Sequence, residues 1–144
     1  MDRFMQAAIE EARKGAREGG IPIGSILVKR GRIVGRGHNR RVQRCDPTAH
    51  AEIECLRGAG RIENYSGTVL YSTLMPCFLC AGAAVQFGIK KVVVGESKTF
   101  KGAARFLRAH GVRVVDLDLE ECRELMREFI RKKPKLWKED IGGL

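Results

Sequence analysis

Residues 68–95, TVLYSTLMPCFLCAGAAVQFGIKKVVVG, decide the fold. TVLY at 68–71 and KVVV at 91–94 are short apolar runs rich in β-branched residues, and both read as strands. Between them CAGAAVQFG, from residue 80, reads as a buried helix. Strand, helix and strand in direct succession imply a parallel pair joined by a right-handed crossover. The pattern repeats downstream, where 101–110 reads as helix and VRVV at 112–115 as strand.

Upstream, residues 2–18 carry Phe4, Met5, Ala8, Ile9 and Ala12 at helical spacing, and Gly19 and Gly20 end the run. ILV at 26–28 and RIV at 32–34 are strands joined across residues 29–31, a short connection containing Gly31. After an arginine-rich loop, a helix is expected from Ala49 to Leu56, dying at Gly58 and Gly60. Residues 119–132 form a last amphipathic helix. The hairpin adds two antiparallel strands to the parallel set, so the expected fold is α/β: a three-layer α/β/α sandwich on a five-stranded mixed sheet. In such sheets, sites form where strands run out into helix N-termini, and His50 and Cys77 both lie at such points.

At 144 residues the chain is long enough for one domain with a real core, and no linker-like break divides it, so residues 1–144 are expected to be a single domain. The N-terminus has no apolar segment of signal-peptide length, and no run approaches the roughly 18 apolar residues of a membrane span. The expectation is a soluble, cytoplasmic protein without membrane contact. The five cysteines do not resemble a disulfide framework. Cys77 and Cys80 form a C-x-x-C, which in a reduced compartment points to metal or redox use. The net charge of +10 would mark a nucleic-acid binder if it were gathered in one place. Most of it is spread along helices, with Glu128 four residues before Lys132 and Glu124 three before Arg127, as expected of an ion-paired surface or of heat adaptation. The exception is Arg36, Arg40, Arg41 and Arg44, a basic cluster that keeps a polynucleotide substrate in play.

Two motifs carry the chemistry. In DPTAHAE, residues 46–52, Asp46 or Thr48 could cap a helix and Glu52 could be an ordinary first-turn acid. In PCFLC, residues 76–80, Pro76 suits a helix's opening position, and Cys77 and Cys80 share one face of the first turn, where the helix dipole favours thiolates. Alone, the second motif could also be a thioredoxin-like redox pair. Together the two motifs resemble the signature of zinc-dependent nucleobase deaminases, and that resemblance decides for metal; the chemistry explains the residue types. One imidazole (His50) and two thiolates (Cys77, Cys80) fill three positions of a tetrahedral Zn²⁺ and leave the fourth for water, which marks a catalytic site. Glu52 is then free to act as the general acid and base.

H-x-E followed by P-C-x-x-C is the signature of zinc-dependent nucleobase deaminases. The chain resembles that family over nearly its whole length, through GIPIG at 20–24, GRGHN at 35–39, VVG at 93–95, TFK at 99–101 and above all WKEDIG at 137–142. It is most similar to the small zinc cytosine deaminases of the fungal type, within the cytidine/deoxycytidylate deaminase superfamily. The resemblance implies a cytidine-deaminase-like fold and one catalytic zinc per chain on His50, Cys77 and Cys80, with Glu52 as proton shuttle. It implies that Asn39 bonds the pyrimidine edge, that Ile23, Phe100 and Trp137 wall the pocket, and that Asp140 holds the exocyclic amine. It also implies a homodimer working in pyrimidine salvage on a small free base. Two positions depart from the fungal pattern: Met75 stands where those enzymes have serine, and Phe78 where they have an acid. DPTAHAE itself is more like the tRNA adenosine deaminases and guanine deaminases. Cytosine, guanine, isocytosine, creatinine-like rings and tRNA adenosine therefore all stand as substrates to be distinguished. His38 and His110 read as surface or second-layer groups, and Cys55 and Cys122 as small buried hydrophobes.

Overall fold

In the computed structural model, which describes residues 2–142, α1 (Arg3–Arg17) precedes a hairpin of β1 (Gly24–Lys29) and β2 (Arg32–His38). A short α2 (Arg41–Arg44) leads to α3 (Ala51–Ala59), and β3 (Thr68–Ser72), α4 (Phe78–Phe87) and β4 (Lys91–Val94) form the crossover unit. α5 (Ala104–Ala109), β5 (Arg113–Asp116), α6 (Glu120–Lys132) and α7 (Pro134–Asp140) complete the chain. The sheet has five strands in the order β2-β1-β3-β4-β5. β1 is antiparallel to β2 and β3, whereas β3, β4 and β5 run parallel. The mixed sheet is thus the expected one.

Alternation along β1 sets the layers, because successive side chains of a strand face opposite ways. Ile26 and Val28 face α1 and α6, packing with Met5, Ala8, Ile9 and Cys122. Leu27 faces the other side, with Cys55 of α3, Ala81 and Ala84 of α4 and Leu107 of α5. A third cluster of Ile21, Ile23, Ala51, Leu74, Met126, Phe129 and Trp137 gathers residues from loops and from α3, α6 and α7. This last cluster joins the sandwich to the site.

Glycine lets α3 come close. A Cβ on Gly35 would lie 2.5 Å from the Cys55 carbonyl oxygen, and one on Gly37 would lie 2.4 Å from the Cys55 nitrogen. Any side chain at either position would push the helix that carries Glu52 off β2. The hairpin turns through Arg30 and Gly31, both at positive φ, as a two-residue type I′ connection requires.

Several boundaries differ from expectation. α4 begins at Phe78 with Cys77 as its N-cap, so Pro76 stands before the helix and not in its opening position. α3 begins at Ala51 with His50 as N-cap and no side-chain cap bond. Asp46 instead closes a local turn, accepting from the Thr48 amide at 2.9 Å and its hydroxyl at 2.8 Å. α5 starts at Ala104 rather than 101, because Gly102 at φ +58 interrupts helical geometry. α2 and α7 were not expected. Pro134 ends α6 and opens α7 at its first position, a place where its missing N–H costs nothing.

Candidate active site

Two helix starts deliver three ligand-type atoms to one point. His50 and Cys77 occupy the N-caps of α3 and α4 in extended backbone conformation, and Cys80 lies in the first turn of α4. The His50 ring nitrogen and the two thiol sulfurs all lie within 4.8 Å of one another. His50 Nδ1 and Cys77 Sγ are 3.4 Å apart. Ligands at the usual Zn–N and Zn–S distances on a tetrahedral ion are separated by about 3.6 Å, so the residues present fit zinc. The donor set fits as well, since three protein ligands leave a coordination position open. Glu52 falls outside the group whose ligand atoms converge.

The electrostatics suit the same assignment. Hydrogen bonding from Cys80 and His50 outweighs burial and holds the Cys77 thiol down to about 4, so it is a thiolate at neutral pH. Burial works against charge on His50, but the Cys77 thiolate outweighs it and lifts the imidazole to about 9. Metal binding would displace that proton. Glu52 is buried, and burial, reinforced by the Cys77 charge, raises its carboxyl to about 7. A carboxyl poised there can both accept and return a proton near neutral pH.

Beside the cluster lies a cavity of about 30 Å³ lined by Ile23, Asn39, His50, Glu52, Leu74, Met75, Cys77, Phe100, Trp137, Asp140 and Ile141. That is room for a water or two and far below the roughly 300–1,000 Å³ of open ligand pockets, so the cavity is closed. Every residue that the sequence nominated for a substrate pocket lines this cavity. Leu74 and Ile141 were missed, and Met75, singled out as a departure, is a buried part of the wall. Phe78, the other departure, is 63% exposed and lies outside this lining. Asn39 is buried; its amide oxygen accepts from the Arg41 N–H at 3.0 Å. Burial pushes the Asp140 carboxyl up, against the pull of His50, Arg41 and Asn39. A larger groove between α1 and α6 shares no residue with the cluster.

The arginine cluster is not the uniform basic patch it looked in sequence. Arg41 pairs with Glu139 at 3.0 Å and reaches Asp140, and Arg44 pairs with Glu54 at 3.0 Å. Arg36 and Arg40 make no ion pair among the described residues. The expected helix pairs are present: Lys132–Glu128 at 3.1 Å, and Arg127 with Glu124. His38 is buried between Glu11 at 3.0 Å and Glu18 at 2.9 Å, a second-layer group, whereas His110 is exposed and bonds the Phe106 carbonyl. Cys55 and Cys122 are buried, and burial pushes each thiol up to about 12.

Residues 1–96 match the model of the cytidine and deoxycytidylate deaminase zinc-binding region. The chain is 43% identical over 141 residues to a cytosine deaminase of Candida albicans, covering 96% of this chain and 94% of that one. It is 40% identical over 145 residues to a tRNA-specific adenosine deaminase of Haemophilus influenzae, covering 92% and 84%. A solved structure from a study of A-to-I editing by tRNA:A34 deaminases superposes with a TM-score of 0.75 at 34% identity, covering 85% of this chain and 98% of that one.

Proposed function

The chain belongs to the cytidine and deoxycytidylate deaminase family, its members being zinc-dependent hydrolytic deaminases, and we propose that its substrate is a free nucleobase, cytosine, converted with water to uracil and ammonia. We further propose residues 1–144 as one deaminase domain, with His50, Cys77 and Cys80 holding the zinc.

Bound there, zinc supplies the Lewis acidity that makes a water nucleophilic at neutral pH. Glu52, buried beside the ligand cluster, takes one proton from the attacking water and gives it to the ring nitrogen, then carries the second from the newly added hydroxyl to the amine, which leaves as ammonia. Asn39 and Asp140 hold the polar edge of the base, the carboxylate accepting from the exocyclic N–H. Ile23, Phe100 and Trp137 sandwich the ring and exclude water.

The observation that carries the choice of cytosine is α7. It lays Trp137 and Asp140 into the lining of a small, closed cavity, which suits a small ligand rather than a polymer. The Asp140 side chain is only 7% exposed and lines this cavity, where an acceptor for the exocyclic amine would stand. A tRNA adenosine is the second possibility, favoured by the 40% identity to an adenosine deaminase and by Arg36 and Arg40. It is opposed by α7, which closes the ground an anticodon loop would need. Ammonia release measured over cytosine, isocytosine, guanine, creatinine, their nucleosides and tRNA tests the choice: cytosine should be turned over fastest, and activity confined to tRNA would reverse it.

A homodimer is supported by α4, whose outer face leaves Phe78, Leu79 and Phe87 63%, 45% and 49% exposed. Large exposed apolar side chains on one helix suit a partner surface, and light scattering should give twice the chain mass. Among the described residues no helix is long and apolar enough to cross a membrane. The five free cysteines support a reduced compartment, the cytoplasm; a role in pyrimidine salvage follows from the proposed conversion of cytosine to uracil.

A further inference from the structure

Arg41 touches both polar groups of the cavity without lining it. Its backbone N–H donates to Asn39 Oδ1 at 3.0 Å. A backbone N–H can only donate, so the atom facing it must be the amide oxygen, and the Asn39 NH₂ is left as the group that reaches Asp140 and the cavity. The Arg41 guanidinium reaches the tail, with Nη1 on Glu139 Oε1 at 3.0 Å and Nε 3.4 Å from Asp140 Oδ1. Its side chain is only 15% exposed, and that of Asp140 only 7%. Arg41 Nε and Asp140 Oδ1 are both buried and both lack a hydrogen bond among the described residues. They face each other at ion-pair distance, with the geometry of a hydrogen bond not yet made. An exposed surface pair would contribute little, but this one is out of water, and the planar guanidinium fork can serve two acceptors on successive residues where an ammonium serves one point.

We propose that Arg41 is a positioning residue of the pocket: its N–H fixes the Asn39 amide, and its guanidinium holds α7 closed with the Asp140 carboxylate aimed at the ligand. One residue thus sets both ends of the polar edge. The proposal rests on the assignment of this cavity as the base site, and it gives the closing tail a cause that packing of Trp137 alone does not supply.

Trp137 is the sole tryptophan of the chain, so intrinsic fluorescence reports on α7 directly. Arg41→Ala keeps the N–H but releases the tail. It should raise KM for cytosine at least tenfold, with a smaller loss in kcat, red-shift Trp137 emission and increase its quenching by acrylamide, while zinc content and melting temperature stay near wild type. Arg44→Ala, which breaks only the pair with Glu54, should move none of these. If Arg41→Ala does not fold, Arg41→Lys carries the test: the charge is kept but the fork is lost, so KM and quenching should still rise. Wild-type KM, or unchanged Trp137 quenching, in a folded Arg41 variant overturns the proposal. Should the wild type deaminate no free base, the base-site assignment fails, and the fluorescence still decides whether Arg41 holds α7.

Discussion

Phe100 and Trp137 meet edge to face, with ring centroids 5.9 Å apart and planes at 90°. One ring comes from the loop after β4 and the other from α7, so this contact is where the sheet end and the tail close on the cavity. Such pairs contribute about 0.5–1.5 kcal/mol beyond their area burial. Trp137 also belongs to the cluster of Ile21, Ile23, Met126 and Phe129, so Trp137→Ala should cost both stability, by about 3–5 kcal/mol, and turnover. Phe100→Leu separates the two effects, because it keeps apolar bulk and removes the ring. Cytosine turnover should drop severalfold while calorimetry shows a shift of only a few degrees; unchanged turnover would mean that the rings merely fill core.

The metal assignment predicts about one zinc per chain by elemental analysis. Cys77→Ala and Cys80→Ala should each lose most of that zinc and melt at lower temperature, since an ion that binds only the folded chain stabilises it by mass action. Full zinc content in either variant would remove that cysteine from the ligand set.

Acid stability should depend on Glu11. Burial pushes its carboxyl up, but hydrogen bonds from His38 and Lys14 outweigh this and leave it below the usual glutamate range. A carboxyl with a lower pKa folded than unfolded contributes stability that is fully present above the unfolded value, about 4.3, and lost as pH falls through the folded one. Glu11→Gln should therefore melt lower at pH 7 and show a flatter acid limb below about pH 5. Glu10, whose side chain is 62% exposed, is the control. Parallel melting curves for wild type and Glu11→Gln would show that the His38 contact contributes nothing.

With Arg41 and Arg44 paired, Arg36 and Arg40 are the members of the cluster left to serve a polynucleotide. Arg36→Ala combined with Arg40→Ala should leave cytosine turnover unchanged and nearly independent of salt. If the substrate is RNA, activity should instead fall steeply with salt, at a slope of about 0.7–0.9 per phosphate contacted, and the double variant should flatten it.

The strands and long helices were legible because their apolar residues recur at fixed periods: Ile26, Leu27 and Val28 alternate across two layers, and Met5, Ala8, Ile9 and Ala12 line one face of α1. The metal-ligand and proton-shuttle candidates were legible because chemistry fixes their types and spacing. What stayed hidden has no period. α2 is four residues with none buried, and α7 is seven residues that Pro134 opens directly after α6, too short for a period to show. Leu74, Met75 and Ile141 reach the cavity from loops or a helix end, where sequence says nothing of direction. Arg41 looked like part of a basic patch, since its pairing with Glu139 and Asp140 joins opposite ends of the chain and only the folded chain brings them together.

Glu52→Gln, compared with wild type for zinc content and for conversion of cytosine to uracil, tests the central claim most directly. The exchange keeps size and polarity and removes only the proton-carrying carboxyl. Zinc and fold should be retained and turnover should drop about a hundredfold or more, the scale of general acid–base catalysis. Cytosine turnover at the wild-type rate in zinc-loaded Glu52→Gln, or loss of zinc from that variant, would contradict the role assigned to Glu52.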